Sequence, residues 1–139
     1  MTIHSGLALQ GAVYQALVNS NELTMKLGGA HIFDDVPNRQ SPPYVVFGKS
    51  IHRDWSTDIE EGIEHEIALQ VWSERNGRKE VLELSHEIVM LLNATDFSLT
   101  DHILVNFRHE FTELERERKT GFFKSEITFR AVTEPVSAN

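Results

Sequence analysis

Histidines and carboxylates are the side chains of this sequence that could bind a metal ion. The sequence holds seven His and 21 Asp and Glu residues, so their spacing decides whether a site is predicted. His102 and His109 are seven residues apart on one predicted strand, and an odd separation points two side chains to opposite faces unless a bulge intervenes. His86-Glu87 is followed by Met90 where a zinc-protease helix carries its second histidine. We therefore predict structural or surface roles for the histidines and no metal site.

A calcium loop is the second chemical possibility in the sequence. Asp54, Ser56 and Asp58 resemble the opening ligands of such a loop. However, Ile59 stands where the loop needs glycine, and His65 stands where it needs a bidentate glutamate. The sequence therefore does not predict a calcium site.

Motifs for catalysis or cofactor binding are also missing. Gly28-Gly29 fits neither the phosphate-loop nor the dinucleotide pattern, no Gly-x-Ser-x-Gly elbow occurs, and the chain has no cysteine. Nothing marks a Ser-His-acid triad. We predict a protein that is not an enzyme and that binds no cofactor. The alternative is a small soluble enzyme or ligand-binding domain, with a pocket lined by His65, His102 or His109.

Length and composition indicate one globular domain. The chain has 139 residues, of which 40% are hydrophobic and 24% are charged, and a chain of this length buries roughly two thirds of its unfolded surface. We assign residues 1–134 to a single domain and residues 135–139 to a flexible tail. The formal net charge of -8 argues against a broad nucleic-acid-binding surface, because DNA phosphates repel an acidic protein.

Signals for membranes and secretion are absent from the sequence. No apolar run approaches the ~20 residues that a membrane span requires. Residues 1–11 lack the basic start and the apolar core of a signal peptide. We therefore expect a protein that is made in the cytosol and has no membrane partner.

The centre of the fold is predicted between residues 62 and 93. From Ile63 to Val71 apolar side chains fall mainly on odd positions and polar ones on even positions, as in a half-buried strand. Asn76-Gly77 ends that strand, and Asn76 is expected to cap a helix over residues 77–93. The apolar residues of this helix recur at three- and four-residue steps; they are Val81, Leu84, Ile88, Leu91 and Leu92.

Helices and strands on either side complete the predicted fold. An opening helix from Leu9 has Ser5 as its expected cap, is extended by Leu23 and Leu27, and stops at Gly28-Gly29. Short strands are predicted over residues 30–36 and 44–51, and a closing hairpin follows the central helix. The first strand of that hairpin is predicted to carry four apolar side chains on one face: Ile103, Val105, Phe107 and Phe111.

These elements predict the fold class. It is α+β, with a mixed, mainly antiparallel sheet of about five strands flanked by two main helices, in the order α-β-β-β-α-β-β. Residues 52–61 form an exposed connection that is polar and acidic except for Trp55 and Ile59. Trp55 either folds back on the core or serves as an aromatic anchor for a partner. The charged hairpin tip at residues 113–121 is either solvated or pairs with a neighbouring subunit.

Seven segments, in the same order along the chain, resemble one family of proteins. They are residues 9–17 (LQGAVYQAL), 32–37 (IFDDVP), 43–48 (PYVVFG), 69–73 (LQVWS), 77–80 (GRKE), 104–108 and 129–134. Together they are similar to the small tail-completion or tail-terminator proteins of long-tailed, siphovirus-like phages, prophages and gene transfer agents.

The resemblance implies a structural role without catalysis. Family members form a ring, usually a hexamer, on the head-proximal end of the tail tube. This ring stops tube polymerisation and joins the tail to the head connector. The implied partners are copies of the same chain, the tail tube protein and a head-closure or connector protein, while DNA passes through the lumen without specific binding. A neighbouring head-closure or connector ring protein is the alternative, because those proteins also form rings on small α+β cores.

The resemblance also implies a location and suggests contact residues. Synthesis is expected in the bacterial cytoplasm, followed by incorporation at the head-tail junction of a phage-like particle. We predict that the loop at residues 52–61 meets the tail tube through Arg53, Asp54, Trp55 and Asp58. We predict that the arm at residues 113–119 reaches a neighbouring subunit through Glu115, Arg116, Glu117 and Arg118. No catalytic residue, cofactor or metal ligand is carried over from the family.

Overall fold

Three helices and five strands make up the fold in a computed structural model that describes residues 4–136. The elements are α1 (Ser5–Val18), α2 (Asn21–Leu27), β1 (Ile32–Phe33), β2 (Tyr44–Asp54), β3 (Ile63–Ser73), α3 (Lys79–Ala94), β4 (His102–Arg116) and β5 (Phe123–Pro135). The five strands form one sheet in the order β1-β2-β3-β5-β4, in which β1 and β2 are parallel and all other neighbours are antiparallel. The predicted α+β class and mixed sheet are therefore confirmed, with α2 as a separate third helix.

The core lies between the helices and one face of the sheet. Alternate side chains of β3 and β5 point to this face, and Ile67, Leu69, Ile127 and Phe129 are buried there. The apolar stripe of α3 packs against them through four buried residues: Val81, Leu84, Ile88 and Leu92. Burying each such side chain stabilises the fold by roughly 1.5–3 kcal/mol, so the predicted strand and helix do form the centre of the domain.

Helix ends differ from the prediction at two of three positions. His4 caps α1, because its Nδ1 accepts a hydrogen bond from the Gly6 N–H at 2.9 Å, whereas Ser5 is a buried residue of the first turn. The helix α3 starts after Arg78 without a side-chain cap, so the predicted caps Ser5 and Asn76 are both wrong. The stop at Gly28 is correct, since this residue has φ 81°, a left-handed conformation that glycine adopts without strain.

Strand β4 contains two bulges that decide which of its side chains face the core. Its register with β5 shifts after Leu104 and again after His109, and each extra residue reverses the alternation. Leu104, Phe107 and Leu114 pack against the core, while three other apolar side chains are exposed: Ile103 (51%), Val105 (54%) and Phe111 (45%). The prediction that Ile103, Val105, Phe107 and Phe111 share one face is therefore wrong.

The first bulge also changes the relation between two histidines. His102 pairs with Pro135 and His109 pairs with Phe129, and these two partners lie an even number of residues apart on β5. His102 and His109 therefore face the same side of the sheet, which corrects the prediction of opposite faces. Seven strand residues still separate their Cα atoms by roughly 20 Å, so the two side chains do not share an ion.

Several element boundaries shift relative to the sequence prediction. The strand β2 continues to Asp54, so the connection to β3 comprises residues 55–62, and β1 is only two residues long. The strand β5 includes Pro135, and the Val136 N–H donates to the Asp101 carbonyl at 3.1 Å. Residues 137–139 of the predicted tail lie outside the described residues. None of the helices within residues 4–136 is long and apolar enough to cross a membrane.

Candidate assembly surfaces

The loop between β2 and β3, residues 55–62, exposes two large apolar side chains at one end of the sheet. Trp55 is 54% exposed and Ile59 is 91% exposed. The loop backbone is nevertheless ordered by hydrogen bonds, from the Trp55 N–H to the Gly62 carbonyl at 2.9 Å and from the Thr57 N–H to the Glu60 carbonyl at 2.8 Å. An ordered loop that exposes apolar side chains is suited to contact with a partner protein.

Ion pairs fix the base of this loop on the sheet face opposite the helices. The Glu64 carboxylate accepts from Arg130 Nη2 at 2.6 Å and from Arg53 Nη1 at 3.3 Å. Hydrogen bonding to Arg130 is the main reason that the pKa of Glu64 is lowered. The Arg130 guanidinium also lies 5.1 Å from the centre of the Trp55 ring, within cation–π range. Trp55 therefore packs on this charged face, and the helical core is on the other side of the sheet.

The predicted tube-contacting residues lie together at this end of the sheet. Arg53 and Asp54 end β2, Trp55 begins the loop, and Asp58 is exposed within it. The Asp54 carboxylate accepts from the Ser56 N–H at 3.0 Å, and hydrogen bonds from Ser56 lower its pKa. Arg53 and Asp54 thus shape the loop within their own chain, whereas Trp55 and Asp58 present surface to a partner. Contact with a tube protein stays a prediction.

The predicted arm is a tight turn whose first residues interact within their own chain. Glu115 pairs with Lys124 across the hairpin at 3.0 Å. Arg116 Nε donates to the Gly121 carbonyl at 3.0 Å, and its guanidinium lies 5.3 Å from the centre of the Phe123 ring. These two side chains therefore hold the end of the β4–β5 hairpin in place.

The tip of the same turn is more open. Glu117 accepts a hydrogen bond from Thr120 Oγ1 at 2.8 Å, and Arg118 is exposed. Burial, together with the negative charge of Glu117, raises the pKa of Tyr44 at the start of β2. Among the four predicted arm residues, Arg118 is therefore the one best placed to reach a neighbouring subunit, and that contact stays a prediction.

The outer edge of β4 is a surface that the sequence did not reveal. The strand is the last of the sheet, and within residues 4–136 no further strand pairs with it. Its exposed apolar side chains, Ile103, Val105 and Phe111, were predicted only to share one face of the strand with Phe107. An unpaired edge that also exposes apolar side chains is a template for pairing with another chain. A sequence signal for the two bulges, such as glycine, is absent from residues 102–112.

A pair of histidines, the buried His65 and the more exposed His52, lies between the start of α1 and the sheet. His65 is fully buried, with Nδ1 2.7 Å from Nδ1 of His52 and Nε2 2.8 Å from Oγ1 of Thr133. Burial, and secondarily the positive charge that His52 can carry, lowers the pKa of His65 to about 4. Burial also lowers the pKa of His52. Both imidazoles are therefore neutral at pH 7, with one ring donating to the other.

This cluster has a structural role in the described part of the chain. The Ser50 hydroxyl lies 2.7 Å from Nε2 of His52 and continues the chain of hydrogen bonds. Within residues 4–136 no group of three or more His, Asp or Glu side chains is arranged to hold a metal ion. The pair thus ties β2 and β3 to β5 through side-chain contacts.

These features define a protein that acts through its surfaces: an ordered apolar loop at one end of a small α+β domain and an unpaired sheet edge along one side. The chain belongs to the family Tail completion protein gp17, which matches residues 11–134. The family resemblance noted in the sequence is therefore confirmed. No curated protein matches the chain by sequence.

A solved structure supports the same assignment. A chain of the structure titled "Virion of native gene transfer agent (GTA) particle" superposes with a TM-score of 0.86 and is 25% identical in sequence. The match covers 96% of the present chain and 99% of that chain. Family and fold together make this protein a structural component of a phage-like tail.

Proposed function

We propose that this chain forms a closed ring at the head-proximal end of a tail tube. There it stops tube polymerisation and joins the tail to the head connector, inside a phage-like particle. The observation that carries this proposal is the match of nearly the whole domain to the tail completion family. The likeness to a chain of a gene transfer agent virion supports it, because that chain also belongs to an assembled particle.

The arrangement of the surfaces supports a ring that contacts a tube. In a ring, each copy needs two different lateral surfaces for its neighbours, and it has an axial surface for the layer above or below. The loop at residues 55–62 lies at one end of the strands, where an axial contact would form, so we assign Arg53, Asp54, Trp55 and Asp58 to the tube. The edge of β4 lies laterally, where a neighbouring copy would sit, whereas the hairpin tip with Arg118 lies at the strand ends opposite to this loop and would reach sideways to a neighbour from there.

Net charge supports a lumen through which DNA passes without binding. The chain carries a formal charge of -8, and each further copy in a ring adds the same charge. Like charges repel, so DNA phosphates gain no attraction from such a channel. The Glu66 and Glu126 carboxylates on the open sheet face are consistent with this role, whereas Glu64 is paired there with Arg130 and Arg53.

The decisive experiment removes the protein from a producing cell and then restores it. Without it we expect tail tubes of irregular length and heads that lack tails. Restoring a C-terminally tagged protein should recover joined particles, with a gold label on the tag at the neck in electron micrographs. Tubes of normal length joined to heads in the deletion strain, or a label at the distal tip, would overturn the proposal.

Oligomeric state provides a second test. Light scattering after size exclusion should give a multiple of the 15.9 kDa chain, alone or together with tail tube protein, and negative-stain images should show rings. A protein that stays monomeric in both preparations would contradict the ring.

A further inference from the structure

We propose that β4 of one copy pairs with the free edge of β2 in the next copy, so that the sheets of successive subunits join into one continuous sheet. This inference rests on the ring proposed above and identifies the contact between neighbours. It follows from the two edges of the sheet, from the direction of their strands and from the side chains that they expose.

The first edge is β4. It is 15 residues long, and in the described part of the chain its outer side is bordered by no strand. Every second residue of β4 directs its backbone N–H and C=O to this outer side, where these groups need a partner or water. The strand carries charged side chains and two bulges, which protect edges in single-chain proteins, yet Val105 and Phe111 remain exposed on it. A second polypeptide would bury both the backbone groups and these side chains.

The second edge is the distal half of β2. Within residues 4–136, the short strand β1 pairs only with Val45 and Val46 of β2. The outer side of β2 is therefore not paired with a strand from Phe47 to Asp54. Beside it lies a groove of about 330 Å³ between β2 and the first turns of α1. The groove is lined by Leu7 and Phe47. Adding a strand to this edge would place alternate side chains over the groove.

Strand direction makes these two edges compatible. Each neighbouring pair from β2 through β3 and β5 to β4 is antiparallel, so β4 runs opposite to β2. Rotation about a ring axis that runs along the strands keeps the direction of each strand. The β4 strand of one copy therefore meets β2 of the next copy in antiparallel orientation, as inside the sheet. Pairing between two β4 edges would instead require a two-fold axis and would give a closed dimer.

Charge and shape favour the same contact. The β2 strand has a net positive charge from Lys49 and Arg53 against Asp54, and both basic side chains are exposed. The β4 strand has a net negative charge, since three glutamates outnumber Arg108 and Arg116. Both strands contain a register shift, between residues 47 and 50 in β2 and at two places in β4. Complementary charge favours this partner edge, and the two bulged strands would have to pair in a register that accommodates both irregularities.

Cysteine cross-linking tests the contact directly, because the chain contains no cysteine. Lys49→Cys is combined in turn with Asn106→Cys, Arg108→Cys and Glu110→Cys. Rings or complete tails are prepared from each double variant and then oxidised. Antiparallel neighbours bring Cα atoms within disulfide range. At least one pair should give a ladder of linked chains that ends at the full ring. The matched control, Lys49→Cys with Met90→Cys on α3, should give no ladder.

The outcomes separate this contact from the ring itself. Rings that are visible by electron microscopy but give no ladder with any of the three pairs would overturn the β4–β2 contact and leave the ring standing. Dimers linked through a single β4 cysteine would also overturn it. Absence of rings both in the isolated protein and in complete tails would overturn both proposals.

Substitution of the exposed side chains provides an independent measurement. Val105→Lys combined with Phe111→Lys should reduce the ring fraction about tenfold or more, because lysine opposes pairing at a sheet edge. Both positions are exposed, so circular dichroism should show a folded monomer. The matched control on α3, Leu82→Lys with Met90→Lys, replaces two equally exposed residues and should leave rings intact. Rings at the normal level in the β4 variant would contradict the inference.

Discussion

The His65 side chain shows how one buried group makes stability depend on pH. It is enclosed by the protein and contacts His52 and Thr133 through its two ring nitrogens. Because burial lowers its pKa to about 4, the folded protein holds the neutral form. The unfolded chain binds a proton near pH 6.5. Stability is therefore fully present above pH 6.5 and is lost as the pH falls toward 4.

A His65→Asn variant tests this dependence. Between pH 7.5 and pH 5 the native protein should lose about 2 kcal/mol of unfolding free energy through His65. In the variant that part of the loss should vanish, although its stability at pH 7.5 is lower. Urea unfolding at pH 7.5, 6 and 5 measures the difference. Identical slopes in the two proteins would show that His65 is not the responsible group.

Two phenylalanines of β4 test the effect of the bulges. Phe107 lies with its ring centre 5.1 Å from that of Phe129 and 4.8 Å from that of Phe97, whereas Phe111 is exposed. Phe107→Ala should cost about 2 kcal/mol or more through lost packing, and Phe111→Ala should cost less than ~1 kcal/mol. Chemical denaturation of the isolated variants measures both values. Equal costs would mean that the two rings share one face after all.

The sequence predicted some strands and helices better than others. The strand β3 and the helix α3 were predicted most clearly. Both have regular periods from Ile63 to Val71 and from Val81 to Leu92, and both pack at the centre. The β4 strand looked equally regular, yet its bulges insert residues without a glycine or proline to mark them. Their position depends on the pairing with β5, which is a property of the folded sheet.

The sequence also predicted only part of the candidate site. Composition alone placed an exposed loop with Trp55 between two strands, and the structure has that loop. The contact of Trp55 with Arg130 joins residues 75 positions apart, so local pattern could not show it. Likewise, the caps at Ser5 and Asn76 were assigned by residue type, while the actual helix starts are set by where the chain packs on the sheet.

Replacing the loop between β2 and β3 tests its assignment to the tail tube. Residues 56–61 are exchanged for Asn-Gly, which forms a tight hairpin turn. The Asp54–Ile63 pair next to the loop and the core should be unaffected, so the unfolding midpoint should stay within a few degrees. Rings should still form, but they should fail to end tubes at normal length. Complete particles with normal tails from this variant would refute a role of the loop in tube contact.

At the scale of the whole protein, the net negative charge predicts how the proposed ring interacts with DNA. The chain has 21 acidic and 13 basic residues, so its net charge repels the phosphates of DNA. Purified ring should therefore give no mobility shift of double-stranded DNA at about 150 mM salt. A variant with Glu64, Glu66 and Glu126 changed to Gln measures the effect of the open sheet face. Clear binding by the unmodified ring would contradict a channel that does not adhere to DNA.

The place of β5 in the sheet has a consequence for biosynthesis. This strand follows β4 along the chain but lies between β3 and β4, so β5 must be synthesised before β4 is anchored to the rest of the sheet. Contacts between segments so distant in sequence form late in folding. A nascent chain that lacks β5 therefore cannot form the finished β4 edge, and pairing through the contact proposed above would have to wait until β5 is made.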